Sequence, residues 1–166
     1  MTDTGKSSNM PIAYMARTRA YYSALGYPSD YRWAENAGTP FQPLQKPLSE
    51  LRIALVTTSY PPGAWSDDNP PTKQVWSGSV ADAPDALYNQ NLAWDKQSTH
   101  TRDRESYLPL LAMQALADEG VIGSVAPRFH GVPTSYSHRE TLETDAPLIH
   151  DRIKEDYADA ALLVPL

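Results

Sequence analysis

The stretch LRIALVTTS, residues 51–59, decides the fold. Its apolar part is rich in Leu, Ile and Val, it ends in the polar triplet Thr57, Thr58 and Ser59, and two prolines follow closely. A short apolar run that is bounded by proline and polar residues is typical of a buried strand. We therefore expect a strand over residues 51–58, and the rest of the chain should supply its neighbours.

Two further runs predict strands. VIGSVA (121–126) is short and apolar, and AALLVPL (160–166) is an unbroken apolar run of strand length. Continuous rather than alternating apolarity favours a strand that is covered on both faces. After residue 126 we expect a polar loop, which contains Phe129, His130, Gly131 and Pro133.

Three segments have helical periodicity. The first is predicted over residues 10–25. The second is capped by Asp103 or Ser106 and ends at Gly120. Its apolar stripe is Leu108, Leu111, Ala112, Ala115 and Leu116. The third is capped by Thr144 or Asp145, and its expected buried side is Leu148, Ile149, Ile153 and Tyr157.

Strands that alternate with helices predict an α/β fold, with a three-layer, mainly parallel sheet and flanking helices. An irregular N-terminal arm and one long loop complete this architecture. We expect the N-terminal helix and a Pro- and aromatic-rich arm over residues 1–50 and the α/β domain over residues 51–166, within a single compact domain overall. Residues 59–104 have no periodicity, which predicts the long loop.

Composition argues against several classes of function. The 166 residues include 15 prolines, against 8 glycines, and no cysteine. Without cysteine, this chain supplies no disulfide, no thiolate-ligated metal and no iron–sulfur ligand. A formal charge of −6 and an isoelectric point near 5.1 argue against nucleic acid or an anionic membrane as the main partner. The sequence has no signal-like or membrane-spanning run, so we expect a cytoplasmic protein.

The carboxyl ends of the strands are the first place to look for a ligand, because open α/β sheets bind ligands there. Thr57, Thr58 and Ser59 end the first predicted strand, and we expect them to bind substrate. The residues that follow match neither of the glycine-rich phosphate-binding patterns. A serine hydrolase is not favoured either, because no G-x-S-x-G motif occurs.

A second candidate site is the segment STHTRDRE, residues 98–105. His100, Asp103 and Glu105 are candidate catalytic residues, because a histidine beside carboxylates can act as a general base with an orienting acid. The alternative is a solvated loop with a capping aspartate. Another alternative is a divalent metal, although no spacing demands one. The candidate metal ligands are His100, Asp103, His130 and His138.

Three blocks of the sequence stand out together. They are LRIALVTTS (51–59), THTRDRESYLPLLAMQALADEGVIGSVAPRFHG (99–131) and RIKEDYADAALLVPL (152–166). In order and separation they resemble component B of the glycine, sarcosine and betaine reductases, a family that includes the selenoprotein B subunits and the related D-proline reductase subunit. The resemblance implies reductive cleavage of a C–N bond α to a carboxylate by a selenocysteine or cysteine nucleophile.

In that family the nucleophile belongs to a short redox motif that follows the strand corresponding to AALLVPL. Because this chain contains no cysteine, the resemblance implies a short, cysteine-free member. Such a member would form a hetero-oligomer with a longer, Cys-containing related subunit, with His100 and Asp103 near a composite active site. The alternatives are a metal-dependent enzyme or binder that uses His, Asp and Glu ligands, and a non-catalytic structural subunit.

Overall fold

The computed structural model describes residues 13–27, 35, 37–64, 72–89 and 101–166. The contacts divide the chain into two units, Met1–Pro40 and Phe41–Leu166. The first unit contains helix α1 (Tyr14–Ala24), none of whose residues is buried. This helix lies within the predicted range of 10–25, whose first three residues lie outside the described part of the chain.

The second unit is built on a four-stranded sheet in the order β2-β3-β1-β4. The central strand β1 (Arg52–Thr57) pairs in parallel with β3 (Ser124–Gly131) on one side and with β4 (Ala160–Val164) on the other. β2 (Trp76–Ser79) pairs antiparallel with β3. The α/β class is therefore confirmed, and the sheet is mixed.

Helices connect the parallel strands. α2 (Leu110–Asp118) lies between β2 and β3 in the chain. A short helix α3 (His138–Glu140), a π-helical stretch (Thr141–Asp145) and α4 (Ala146–Glu155) follow one another between β3 and β4. Two 3₁₀ turns, at Leu48–Glu50 and Arg104–Ser106, precede β1 and α2.

The predicted strand over 51–58 is confirmed by β1. The loop predicted over residues 59–104 and the bounds predicted for the second strand, 121–126, are wrong. β2 falls inside the segment 59–104 that was expected to be a loop, and β3 runs to Gly131 instead of ending at residue 126. β3 continues past Pro127 because the pairing with β1 is irregular there: Ile53 pairs with Val125, but Leu55 pairs with Phe129. The bulge accommodates a residue that cannot donate to the ladder.

The apolar stripe predicted for the second helix is wrong in phase. Leu110 and Met113 are the buried residues of α2, whereas Leu111 is 61% exposed. The helix begins only at residue 110. Leu108 is buried between the 3₁₀ turn and the helix, so it does not set the helical phase. Leu116 packs against the core as expected.

The third helical segment starts earlier than predicted. Ser137 caps it, with its hydroxyl accepting from the Glu140 backbone N–H at 3.2 Å. Ile149 is buried as expected, but Tyr157 is 82% exposed. α4 ends at Glu155, and Tyr157 follows with a φ of 55°, so its side chain no longer lies on the helical face.

The expectation that the last strand is covered on both faces is also wrong. Leu162 is 40% and Leu163 is 66% exposed, although they point to opposite faces of the sheet. β4 lies at the edge of the described sheet, with β1 as its neighbour. The three-layer arrangement therefore stays a prediction.

Two apolar clusters lie on opposite faces of the sheet. Leu55 and Phe129 belong to the cluster that packs against α2. Val56, the next residue of β1, packs with Val75 and with Ile149 of α4. Since successive strand residues face opposite ways, Arg128 and His130 of β3 lie on the α4 face. In the part of the chain that the structure describes, no helix is long and apolar enough to cross a membrane.

Candidate functional site

The predicted substrate-binding residues Thr57, Thr58 and Ser59 lie at the carboxyl end of β1, and two of the three are buried. Thr57 and Ser59 are buried, and the Ser59 backbone N–H donates to Thr57 Oγ1 at 3.4 Å. Thr58 is half-buried, and its Oγ1 accepts from the backbone N–H of Leu166 at 2.9 Å. Thr58 is therefore the member of the triplet that stands next to the end of β4.

The predicted catalytic cluster falls partly outside the described residues, because His100 is not among them. Asp103 caps the 3₁₀ turn by accepting from the Glu105 backbone N–H at 3.0 Å. Glu105 Oε2 accepts from the first-turn N–H groups of Leu111 and Ala112 at 2.9 and 3.3 Å, and its Oε1 pairs with Arg104. Both carboxylates thus stabilise helix starts in this structure.

The predicted metal ligands are not brought together within the described residues. His138 is exposed at the start of α3, whereas His130 is fully buried in β3. Among the described residues no group of three or more His, Asp or Glu side chains is arranged to hold a metal ion. A metal site that includes His100 stays a prediction.

A partly buried polar network lies instead on the α4 face of the sheet. β3 contributes Arg128 and His130, two residues apart and therefore on the same face. β2 contributes Ser77, which is directly opposite His130 in the antiparallel register. Such opposed side chains are close enough to interact.

α4 supplies the other half of the network. Arg152 and Asp156 are four residues apart at the C-terminal end of this helix, so both face the sheet. Arg52 and Arg128 donate to the backbone carbonyls of Asp156 and Arg152 at 3.0 and 3.2 Å. Cationic groups at a helix C-terminus are favourable, because the last carbonyls have no helical partner.

The centre of the network is a hydroxyl, an imidazole and a carboxylate in line. Ser77 Oγ lies 2.9 Å from His130 Nδ1, and His130 Nε2 lies 3.3 Å from Asp156 Oδ2. The second contact is too poorly aligned for a hydrogen bond, and neither of its two atoms has another partner within the described chain. Arg152 Nη1 donates to Ser77 Oγ at 2.9 Å.

The pKa values of Arg128 and His130 shift in opposite directions. Arg128 Nε donates to Asp156 Oδ1 at 2.7 Å and Arg128 Nη2 pairs with Glu155 at 3.0 Å; these hydrogen bonds raise the pKa of Arg128. Burial lowers the pKa of His130 below its ordinary value, and the two arginines act in the same direction, while Asp156 opposes them. His130 is therefore neutral near pH 7.

A cavity of about 570 Å³ lies elsewhere, on the side of α2. Its lining includes Ser79, Gln114, Asp118 and the start of β3, and it does not include Ser77 or His130. The polar network is the better candidate site, because it contains Arg128 and His130, whose pKa values depart from their ordinary values.

Sequence reasoning missed most of this network. The sequence predicts His130 as a loop residue and a candidate metal ligand, and it favours solvated charge for Arg152 and Asp156. Ser77 and Arg128 have no local signal of a site. The alternation Arg128-Phe129-His130, with one apolar residue between two polar ones, was the available signal, because it is the pattern of a strand with different environments on its two faces.

Comparisons with family models, with curated proteins and with solved structures find no match for this chain. The site must therefore be interpreted from its own geometry.

Proposed function

We propose that this chain is a subunit of a reductase-like complex similar to component B of the glycine, betaine and D-proline reductases. In this proposal it acts in the cytoplasm, at an active site that it shares with a longer, Cys-containing related subunit. The three sequence blocks support the type of complex. One structural observation, the position of β4 at the edge of the sheet that the described residues form, supports the need for a partner.

β4 has the properties of a strand that pairs further. It contains neither a charged residue nor a proline between Ala160 and Val164, and Leu162 and Leu163 are exposed on its two faces. Natural proteins usually protect edge strands with charges, prolines or bulges, since a bare edge templates pairing with another chain. A strand of the related subunit beside β4 would bury both leucines.

The carboxyl end of the sheet supports the position of the shared site. β1 and β4 are parallel and end side by side, where Thr58 binds the backbone of Leu166. A nucleophile carried on a chain beside β4 would enter next to Thr58. There its sulfur or selenium would form a bond to the α carbon while the C–N bond breaks and the amine leaves with a proton. A dithiol would then supply the two electrons that release the product.

Native mass spectrometry of the tagged chain, purified from its own cells, tests this proposal. We expect a stoichiometric complex with a Cys-containing chain that is related in sequence. When a dithiol is present, we expect that complex to cleave the C–N bond α to the carboxylate of glycine, betaine or D-proline. A stable monomer from which no such chain co-purifies would overturn the proposal.

A pair of variants tests whether β4 is the contact. Leu163→Lys places a charge on β4, and Leu111→Lys places the same charge on α2 at a residue of similar exposure, 61% against 66%. We expect Leu163→Lys to weaken subunit binding at least about tenfold, with Leu111→Lys close to the wild type. Equal binding by both variants would exclude β4 as the interface.

A further inference from the structure

Ser77 lies between a base and a cation. Its Oγ is 2.9 Å from His130 Nδ1 and accepts a hydrogen bond from Arg152 Nη1, also at 2.9 Å. Arginine is always a donor, so the Ser77 oxygen accepts from Arg152. The direction of the Ser77–His130 bond depends on which ring nitrogen carries the proton.

The position of Asp156 assigns the tautomer of His130. Asp156 Oδ2 faces Nε2 at 3.3 Å, which favours the ring proton on Nε2, so Nδ1 accepts from the Ser77 hydroxyl. The other oxygen of Asp156 accepts from Arg128 at 2.7 Å, which orients the carboxylate. Hydroxyl, imidazole and carboxylate then stand in the order that activates a serine, with the two ring nitrogens in exchanged roles.

The surroundings of the imidazole suit a base. His130 is fully buried, and the charged groups near it are Asp156 and Arg152 of α4 and Arg128 of its own strand. In this setting the neutral form prevails near pH 7, so Nδ1 is free to take a proton. Burial of the ring also prevents water from competing for that nitrogen.

Ser77 is the least buried of the three residues Ser77, His130 and Asp156. It is half-buried on the edge strand β2, whereas His130 is fully covered. Its strand neighbour Ser79 has a different environment, since the Ser79 hydroxyl donates to the exposed carboxylate of Asp82 at 3.1 Å. The two serines of the segment WSGS thus differ in their hydrogen-bond partners: His130 and Arg152 for Ser77, and Asp82 for Ser79.

We propose that Ser77 is a reactive nucleophile that accepts an acyl group from an ester or thioester. The Oγ–H proton moves to His130 Nδ1 as Oγ forms a bond to the acyl carbon, and the bond to the leaving group breaks as His130 returns that proton to it. Arg152, beside Oγ, donates to the oxygen on which negative charge develops. A strand-borne serine needs no G-x-S-x-G turn, because a triad is recognised by its geometry.

Fluorophosphonate labelling of the protein tests the nucleophile directly. We expect one phosphonyl group on the peptide that contains Ser77, none on that peptide in Ser77→Ala, and wild-type labelling in Ser79→Ala. Circular dichroism establishes that each variant is folded. Absence of label on Ser77 in the folded wild-type protein would overturn the proposal. This experiment needs no second subunit, so its outcome is independent of the reductase proposal.

The lack of native cysteine permits a second test. Ser77→Cys and Ser79→Cys each introduce a single thiol into the chain, and the rate of alkylation by iodoacetamide against pH reports the pKa of that thiol. A cation within hydrogen-bond distance lowers a thiol pKa below its ordinary value of about 8.5. We expect the inflection for Ser77→Cys to lie at least about one pH unit below that for Ser79→Cys. An equal or higher inflection would contradict the activation.

Asp156 is a positioning residue in this scheme, and the pH profile of labelling tests its role. The labelling rate should fall at low pH as His130 becomes protonated. Asp156→Asn removes the charge that favours the imidazolium, so the inflection should move to lower pH. A loss of labelling with an unmoved inflection would show that Asp156 has only a structural role.

Discussion

Acidification should destabilise the folded protein through His130. The side chain is fully buried, and burial lowers its pKa below the ordinary value of 6.5. The unfolded chain therefore binds a proton near pH 6.5 that the folded chain does not bind. Stability rises with pH wherever the unfolded state holds more protons, so stability is lost as the pH falls through this window.

The magnitude follows from the same linkage. Between about pH 7.5 and about pH 5.5, the protonation of an ordinary histidine in the unfolded chain changes the unfolding equilibrium about tenfold. If His130 stays neutral in the folded state, this corresponds to a loss of about 1.4 kcal/mol. Asp145, whose pKa is raised by burial, and Asp159, whose pKa is lowered by its hydrogen bond from Lys46, add their own pH dependence.

Urea unfolding at a series of pH values, followed by far-UV circular dichroism, isolates the contribution of His130. We compare the wild type with His130→Gln, and His150→Gln serves as the control for the loss of an exposed histidine. Titrations of the other groups cancel in the difference. We expect the wild type to lose about 1.4 kcal/mol more than His130→Gln over this range. Equal losses in the two proteins would refute the claim that His130 is neutral and buried.

Thermal and urea unfolding measure two predictions about packing. Gly131→Ala should cost about 1–3 kcal/mol, because the new Cβ would clash with the indole ring of Trp76; Gly38→Ala, whose Cβ meets nothing within 4 Å, should leave stability close to the wild type. Leu110→Ala should cost about 2–5 kcal/mol, while Leu111→Ala on the exposed side of α2 should change stability by less than about 0.5 kcal/mol. Equal effects within either pair would contradict the packing described above.

The sequence predicted β1 because everything that makes it a strand is local. Its apolar residues are buried from both sides, and Thr57 marks its end. β2 could not be predicted in the same way, since WSGS contains few strand-forming residues. It is a strand because it pairs with β3, and because Trp76 donates to the Ser59 carbonyl at 2.9 Å and packs edge-to-face on Phe129. These contacts join distant parts of the chain.

The candidate site was hidden for the same reason. His130 is separated from Ser77 by 53 residues and from Asp156 by 26, so no local spacing connects the three. Their meeting depends on the antiparallel register of β2 and on the face that α4 presents to the sheet. The acidic residues before α2 illustrate the converse. Asp103 and Glu105 are close in sequence to a histidine, but the described contacts use them as caps.

The interface between α4 and the sheet contains several charged side chains, including Arg128, Arg152 and Asp156. A buried ion pair is weak evidence for stability, because replacing it with well-packed apolar residues is often neutral or stabilising. Here the apolar contact of Ile149 with Val56 already attaches α4 to the sheet. The arginine, aspartate and histidine side chains add direction, since their bonds fix how α4 is rotated over β3 and β2. That rotation brings Arg152 to the Ser77 hydroxyl, so the polar interface orients the serine as well as the helix.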